Sequence, residues 1–263
     1  MRYKKKRKKN NNFLKAAGAA IAFAVVAAIL ISYFQTSSYR YRSLRSENLS
    51  LSRSEYLFGI DISHYQGTID WSEVSLSGHP IEFVFIRATM GKNGKDAHFA
   101  LNWEKAKEYG YLRGAYHYYR PNENSTEQFN NFASTAELQT GDFPPLLDIE
   151  KTGIYGKENL QKGVLNWLKL AEKRYGIKPI VYTGRDFYQQ NLKGYIDDYQ
   201  LWIASYADDY QIDSIDWSFH QFTDRVIIRG IKENVDGNRF KGSLIDLNEI
   251  CLTDSMVGQT PIQ

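Results

Sequence analysis

The sequence predicts an α/β fold in which a mostly parallel sheet closes, or nearly closes, into a barrel. From residue 57 onward, short apolar runs alternate with amphipathic helices, and parallel strands need connections of this kind. The chain of 263 residues has room for one such barrel, which takes about 250 residues, and for an extension. Acidic residues follow several of the apolar runs, at the strand ends where such barrels carry their chemistry.

The predicted strands are short runs rich in Val, Ile, Leu, Phe and Tyr. They cover 57–62, 82–89, 113–118, 146–149, 179–183, 200–204 and 217–222. Helices are predicted between them, because apolar residues recur there every three or four positions. The clearest helix covers 160–175, and Gly176 is expected to end it. Two others cover 98–109 and 126–138, and a short one is expected between 183 and 200.

The N-terminal segment differs from the rest of the chain. Residues 1–15 are basic, and residues 16–34 hold no charge. As a helix, the uncharged run would be about 28 Å long, enough to cross a bilayer. It predicts a single-pass anchor at the cell membrane, with the basic end in the cytoplasm and a domain at 57–263 outside it. A cleaved signal peptide, which would release a secreted protein, is the alternative. Residues 35–56 predict a flexible linker.

Charge and cysteine content exclude several classes of protein. Residues 1–56 carry 12 Lys and Arg against 2 Asp and Glu, whereas residues 57–263 carry 21 against 28, a net of −7. An acidic domain is a poor general binder of nucleic acid, so no such partner is expected. The single cysteine, Cys251, excludes an internal disulfide. No phosphate-binding, dinucleotide, zinc-protease or serine-hydrolase motif is present, and neither a cofactor nor a metal site is expected.

The apolar run that begins at Leu146 ends in two carboxylates, Asp148 and Glu150. In a strand, Asp148 and Glu150 would share one face, with backbones about 6.5 Å apart. Burial and mutual repulsion would push their pKa values apart, so that one stays protonated while the other is ionised. Cleavage of a glycosidic bond needs that division of labour. The alternative is a strand that merely ends in acidic residues facing water.

Further polar and aromatic residues are predicted to share the barrel mouth with this pair. Asp61 lies at the end of the first strand, and Asp236 lies near the last one. Sugar rings stack on aromatic side chains, and such walls could come from Tyr116, Tyr118, Tyr182, Trp202 and Tyr206. Each residue also has a structural alternative. Asp61 could cap a helix, Asp236 could belong to a turn, Trp202 could be core, and His117 could be a hydrogen-bonded barrel histidine.

Five stretches stand in order along the chain: GIDISHYQG at 59–67, RGAYHY at 113–118, LDIE at 147–150, LWIASY at 201–206 and VDGNRF at 235–240. As a set they resemble the lysozymes of glycoside hydrolase family 25. The resemblance implies a modified (β/α) barrel of about five β/α units and three further strands. It also implies hydrolysis of the β-1,4 bond between N-acetylmuramic acid and N-acetylglucosamine in peptidoglycan, by an enzyme expected to be a monomer.

Residue roles follow from the same resemblance. Glu150 is expected to be the general acid, Asp148 to position the substrate's 2-acetamido group, and Asp61 and Asp236 to complete the acidic cluster. Attack by the acetamido oxygen is the expected mechanism, and direct attack by water with inversion stays open. The residues expected to bind substrate are Tyr65, Tyr116, Tyr118, Tyr182, Trp202, Tyr206 and Gln221.

The sequence departs from the family pattern at two places. Met90 stands where many members have Glu, and His220-Gln221-Phe222 replaces Trp-Gln-Tyr. These changes affect expected sugar contacts and leave the four acids in place. Two alternatives are therefore a glycosidase acting on another N-acetylhexosamine polymer such as chitin, and a cell-wall binding module without turnover. Retention of all four acids argues against the binding module, because clustered buried carboxylates are costly.

Overall fold

The computed structural model describes residues 56–206 and 212–257. In this part of the chain, nine strands form one sheet. They are β1 (Tyr56–Ile62), β2 (Ile81–Met90), β3 (Gly94–Lys95), β4 (Leu112–Tyr118), β5 (Leu146–Asp148), β6 (Ile180–Gly184), β7 (Gln200–Ala204), β8 (Phe219–Val226) and β9 (Val235–Lys241).

Eight of the strands close into a barrel. Strands β1, β2, β4, β5, β6, β7 and β8 run in the same direction, and β9 completes the ring between β8 and β1. Strand β3 pairs with the end of β2 as a hairpin. The predicted barrel is confirmed, but β9 is antiparallel to both neighbours. The connection at 227–234 contains no helix, and a connection that short permits antiparallel pairing only.

The helices lie on the outside of the barrel. They are α1 (Trp71–Ser75), α2 (Phe99–Glu108), α3 (Ser125–Ala133), α4 (Gly156–Tyr175), α5 (Arg185–Phe187), α6 (Leu244–Glu249) and α7 (Asp254–Val257). Strands β1, β2, β4, β5 and β6 are each followed by one of α1 to α5, which gives five β/α units and three further barrel strands. Helix α4 ends as predicted at Gly176, whose φ of 68° suits glycine.

The helix predicted over 126–138 is shorter than expected. Asn124 caps its start, because the side chain accepts from two backbone amides of the first turn. The helix ends at Ala133. Just beyond it, the hydroxyls of Ser134 and Thr135 both donate to the carbonyl of Asn131. Hydroxyl groups that bond local backbone carbonyls compete with the helical pattern, which the apolar spacing did not reveal.

Two apolar cores fill the domain, one between the strands and the helices and one inside the barrel. The inner core is built from aromatic rings. The ring centroid of Phe85 lies 5.2 Å from that of Phe219 and 4.7 Å from that of Trp202. A Cβ atom on Gly59 would lie 2.4 Å from the ring of Phe83, so only glycine fits there. The filled interior leaves open space at the mouth of the barrel.

Within the described ranges, none of the helices is both long enough and apolar enough to cross a bilayer. The anchor predicted over 16–34, the basic segment before it and the linker up to residue 55 lie outside those ranges.

Candidate active site

A cavity of about 610 Å³ opens at the end of the barrel where the parallel strands terminate. Ligand sites in proteins have volumes of this order. Ten of the eleven predicted site residues line it: Asp61, Tyr65, Tyr116, Tyr118, Asp148, Glu150, Tyr182, Trp202, Gln221 and Asp236. The remaining one, Tyr206, contacts the cavity through Gln221, since its hydroxyl donates to Oε1 at 2.8 Å.

The paired carboxylates of β5 lie in different surroundings. Asp148 is the last residue of the strand and is 6% exposed, whereas Glu150 is exposed at the cavity rim. Burial raises the pKa of Asp148 well above its usual range, and the charges of Glu150 and Asp61 raise it further. Its Oδ1 atom is buried and has no hydrogen-bond partner among the described residues. A substrate donor could therefore bind there.

Glu150 accepts a hydrogen bond from the hydroxyl of Tyr118. Burial raises the pKa of that hydroxyl to about 12, and the nearby charge of Glu150 contributes in the same direction. Tyr118 therefore stays protonated at neutral pH and remains a donor. Tyr118 and Glu150 therefore lie side by side in the wall of the cavity.

The second acidic pair joins the first and last strands of the barrel. Asp61 of β1 lies opposite Asp236 of β9 in the antiparallel register, and their carboxyl groups share a hydrogen bond. Burial, followed by the charge of Asp236, raises the pKa of Asp61 well above its usual range. Burial also raises the pKa of Asp236 to about 6, although the hydrogen bond from Asp61 opposes the rise. The pair therefore shares one proton over a wide range of pH.

Amide side chains hold Asp61 in place. Its Oδ2 atom accepts from Nε2 of Gln221 at 2.8 Å and from Nδ2 of Asn238 at 2.7 Å. The hydroxyl of Tyr182 donates to Oε1 of Gln221 at 2.9 Å. Trp202 donates from Nε1 to Oδ1 of Asn238 at 2.7 Å. These donors fix the orientation of both amides, so each presents its NH₂ group to Asp61.

This network adds a role that the sequence did not suggest for two predicted sugar-binding residues. Trp202 is 2% exposed, which leaves little of its ring free to stack on a sugar. Gln221 is equally buried and directs its amide toward Asp61. Tyr65, by contrast, is 70% exposed at the rim, so much of its ring is open to a ligand. Asn238 lies within a quoted motif, but its type and position alone did not single it out.

Arg87 of β2 is a cavity residue that the sequence analysis missed. It is buried, and its Nε donates to Oδ2 of Asp96 at 3.0 Å. Asp96 also accepts from the backbone amides of His64 and His98. The Arg87 guanidinium lies 5.2 Å from the ring centroid of Tyr65. An arginine inside an otherwise apolar strand was the available signal, since a buried charge needs a partner.

His117 lies on the opposite side of the sheet from the cavity. It is fully buried, and its ring contacts Oγ1 of Thr89 at 2.7 Å and Oε1 of Gln128 at 3.2 Å. Burial lowers its pKa to about 4, and its ring stacks on Trp167 at 5.7 Å. His117 is thus a neutral histidine of the outer core. Across the described ranges, no group of three or more His, Cys, Asp or Glu side chains is arranged to hold a metal ion.

Comparison with known proteins assigns the chain to a family. The family model described as Glycosyl hydrolases family 25 matches residues 60–231. The chain is 39% identical over 213 residues to the protein YegX of Escherichia coli O6:H1, covering 80% of this chain and 78% of that one. It is 32% identical over 203 residues to Lysozyme M1 of Streptomyces globisporus, covering 70% and 68% respectively.

A solved structure shows the same architecture. The family 25 glycosyl hydrolase of Bacillus anthracis superposes with a TM-score of 0.69 at 26% sequence identity, over 76% of this chain and 96% of that one. The residues matched by the family model include Asp61, Asp148 and Glu150, and Asp236 lies just beyond their end. The chain therefore belongs to glycosyl hydrolases family 25.

Proposed function

We propose that this family 25 hydrolase is a 1,4-β-N-acetylmuramidase that cleaves peptidoglycan between N-acetylmuramic acid and N-acetylglucosamine. The observation that carries the proposal is the gathering of Asp61, Asp148, Glu150 and Asp236 in one cavity, two of them buried and one exposed at the rim. A relative of this chain is named a lysozyme, which supports the same assignment.

Glu150 is the proposed general acid. In the free protein it is the exposed member of its pair, so the solvent can reach it. A glycan that fills the cavity displaces this water, while Asp148 and Asp236 remain nearby. Both effects favour the protonated carboxyl group. Glu150 then donates its proton to the glycosidic oxygen as the bond to the muramic acid carbon breaks.

Asp148 is the proposed partner of the substrate's 2-acetamido group. Its unpaired Oδ1 would accept the acetamido N–H, and the acetamido oxygen would attack the anomeric carbon. The products of this step are the released glucosamine end and a cyclic oxazolinium on muramic acid. Water then opens the ring and gives its proton to Glu150, which restores the enzyme and retains the β configuration. Direct attack by water would instead invert it.

Asp61 and Asp236 have a proposed electrostatic role. The proton that they share leaves one negative charge next to the sugar. A negative charge in a site that excludes water stabilises the positive charge that develops at the anomeric carbon. Two fully ionised carboxylates would add a second charge at a high desolvation cost. One shared proton therefore serves both stability and catalysis.

Membrane attachment is also proposed, from the sequence alone. The uncharged run at 16–34 would anchor the chain, and the basic residues before it would keep the N-terminus in the cytoplasm. The barrel would then face peptidoglycan on the outer side of the membrane. Fractionation of cells that produce the full-length protein tests this point. Recovery of the intact chain in the membrane fraction is expected, and a shortened chain in the medium would indicate cleavage of a signal peptide.

The test of the activity uses the full-length protein in detergent with purified peptidoglycan, and identifies the products by mass. Reducing muramic acid ends are expected. Reducing glucosamine ends, or faster release from chitin than from peptidoglycan, would contradict the proposal. The Glu150→Gln protein in the same detergent is the matched blank, since it keeps the fold and the anchor.

A further inference from the structure

The cavity carries positive side chains at one end of its rim as well as five acids, one of which, Glu123, lies beside Arg120. Arg120 and Lys151 line it beside Tyr118. Arg120 follows β4 and Lys151 follows β5, so neighbouring strands bring the two cations to one side. The ammonium group of Lys151 lies 6.0 Å from the ring centroid of Tyr118. Arg120 and Tyr118 are separated by one residue in the chain, and both line the cavity.

The loop that holds Arg120 is firmly positioned. The backbone amide of Arg120 donates to Oε1 of Gln128 at 2.8 Å, and its carbonyl accepts from Nε2 of the same side chain at 2.8 Å. Gln128 is fully buried. A Cβ atom on Gly91 would lie 2.7 Å from Cδ of Arg120, so the arginine stem packs directly on the β2–β3 hairpin. The guanidinium group is therefore presented to the cavity from a rigid base.

The guanidinium group is incompletely paired. Its Nη1 donates to Oε1 of Glu123 at 3.2 Å, and its Nη2 faces Sδ of Met90 at 3.3 Å. A thioether sulfur is a weak acceptor, and a guanidinium has five donors. Lys151 is exposed and forms no salt bridge with a carboxylate of the described residues. Both cations thus keep donors that a ligand can use.

The proposed substrate explains why cations should stand at this place. N-acetylmuramic acid carries a lactyl ether at the carbon next to the one that bears the acetamido group. Its lactyl carboxylate, free or extended by a stem peptide that has carboxylates of its own, would otherwise meet a cavity lined by five acids. Tyr118 contacts Glu150, so cations beside Tyr118 lie close to the reacting bond, where the muramyl substituent must be.

We propose that Arg120 and Lys151 form an anion subsite that binds the carboxylate borne by the muramyl substituent, and so select muramic acid glycans over uncharged N-acetylhexosamine polymers. The inference rests on the proposed function and deepens it. Arg120 supplies the directional donors, because its fork matches a carboxylate. Lys151 supplies a second, more mobile charge. Because Sδ of Met90 is a weak acceptor, Nη2 of Arg120 can give up this contact and donate to a ligand carboxylate, which is a strong acceptor.

The test compares three glycans: peptide-free chains with free lactyl carboxylates, the same chains with the lactyl group converted to its amide, and chains that keep their stem peptides. For Arg120→Gln and Lys151→Gln we expect kcat/KM to fall about tenfold on a carboxylate-bearing glycan, as expected for the loss of one charge-assisted hydrogen bond. Less than about twofold change is expected on the amidated chains. Lys162→Gln, an exposed lysine of α4, controls for the loss of one positive charge.

The outcomes are distinct. A loss confined to the peptide-free chains assigns the anion to the lactyl group, and a loss confined to the peptide-bearing chains assigns it to the stem peptide. Equal losses on carboxylated and amidated chains would overturn the anion subsite, even if the enzyme proves to be a muramidase. The unmodified protein adds a check that needs no variant, since it should prefer the carboxylated chains to the amidated ones.

A binding measurement keeps the inference separate from the proposed activity. If the protein cleaves none of the glycans, the proposed function fails, and the subsite is tested by calorimetry with N-acetylmuramic acid and its lactyl amide. Tighter binding of the acid, lost in Arg120→Gln and weakened by added salt, would support the subsite. Equal affinities for the acid and the amide, together with equal affinities of the parent and Arg120→Gln proteins for a muramyl peptide, would overturn it.

Discussion

Asp61 and Asp236 lie opposite each other across the antiparallel pairing of β1 and β9, and one hydrogen bond joins their carboxyl groups. The contact exists because β9 enters the barrel against the direction of its neighbours, so that its first residues reach the rim where the parallel strands end. Asp236 is the second residue of β9. A parallel last strand would have carried that position to the opposite end of the barrel.

The first prediction concerns stability and pH. Burial raises the pKa of Asp236 to about 6 and that of Asp61 well above its usual range, so the folded state holds protons that the unfolded chain has already released. The contribution of these two groups to the free energy of unfolding is therefore complete below about pH 4, and it is lost as the pH rises through about 6. We expect Tm to be about 3 °C higher at pH 5 than at pH 7, as measured by calorimetry.

The control for that prediction is Asp236→Asn, which removes one titrating group and keeps the shape of the side chain. The difference in Tm between pH 5 and pH 7 should shrink in this variant. An unchanged difference would mean that other groups cause the pH dependence.

A second prediction concerns Asp148, the buried carboxyl group with an unpaired oxygen. Because burial raises its pKa, the folded state loses stability as the pH rises above the usual range of a carboxyl group. Asp148→Asn should raise Tm by about 2–4 °C at pH 7 and have little effect at pH 4, where the folded protein already holds the proton. Turnover should fall about a hundredfold, since the acetamido group loses its charged partner. Thermal melts at both pH values and a reducing-end assay give the two readouts.

Asp142→Asn is the matched control for the Asp148 variant. Asp142 is also buried, but it accepts from Nε of Arg113 at 2.7 Å and from Nη2 at 3.1 Å. Loss of one member of a buried ion pair costs about 3–5 kcal/mol, so this variant should be clearly destabilised. If both variants shift Tm in the same direction, the ionisation of Asp148 is not what weakens the fold.

The sequence predicted the fold and the site to different depths. Alternating apolar runs and helices were enough to predict the barrel, and the position of Asp148 and Glu150 after a strand was enough to predict that they line its mouth. The direction of β9 was not predictable from periodicity, which is the same for parallel and antiparallel strands. The pairing of Arg87 with Asp96 depends on the hairpin of β2 and β3, which brings Asp96 back to β2, and the spacing of apolar residues does not predict that hairpin.

The sequence also could not tell which buried side chains hold others in place. Gln221 was predicted to contact sugar and does line the cavity, and its amide also links Tyr182 and Tyr206 to Asp61. This link joins residues from four strands or their ends, and hydrogen bonds between distant positions leave no local pattern. Their existence follows from burial, because a buried amide must pair its donors and acceptors.

A third prediction tests this link. Gln221→Leu leaves two tyrosine hydroxyls without their acceptor and Asp61 without one of its donors. We expect a loss of about 2–3 kcal/mol in the free energy of unfolding and a fall of about tenfold or more in kcat. Urea unfolding and reducing-end kinetics measure the two effects.

Tyr206→Phe is the control for the Gln221→Leu variant, because it removes only one hydrogen bond of the network. Tyr206 is 56% exposed, and Gln221 keeps the bond from Tyr182 when the Tyr206 hydroxyl is absent. Its loss should cost less than about 1 kcal/mol. A Tyr206→Phe protein as unstable as Gln221→Leu would show that the two tyrosines do not share the acceptor in solution.

The last prediction concerns the proton donor and the stereochemistry of the reaction. Glu150 is exposed, so Glu150→Gln should leave Tm within about 2 °C of the parent. Turnover should fall about a thousandfold, since the glycosidic oxygen loses its acid. Glu104→Gln, an exposed position of α2, is the control for a neutralised surface glutamate and should keep full activity.

In the parent enzyme, NMR of the first muramic acid product should show the β-anomer, because attack by the acetamido oxygen followed by water inverts the same carbon twice. An α-anomer would exclude that route and leave direct attack by water, with Asp148 or Asp236 as the base.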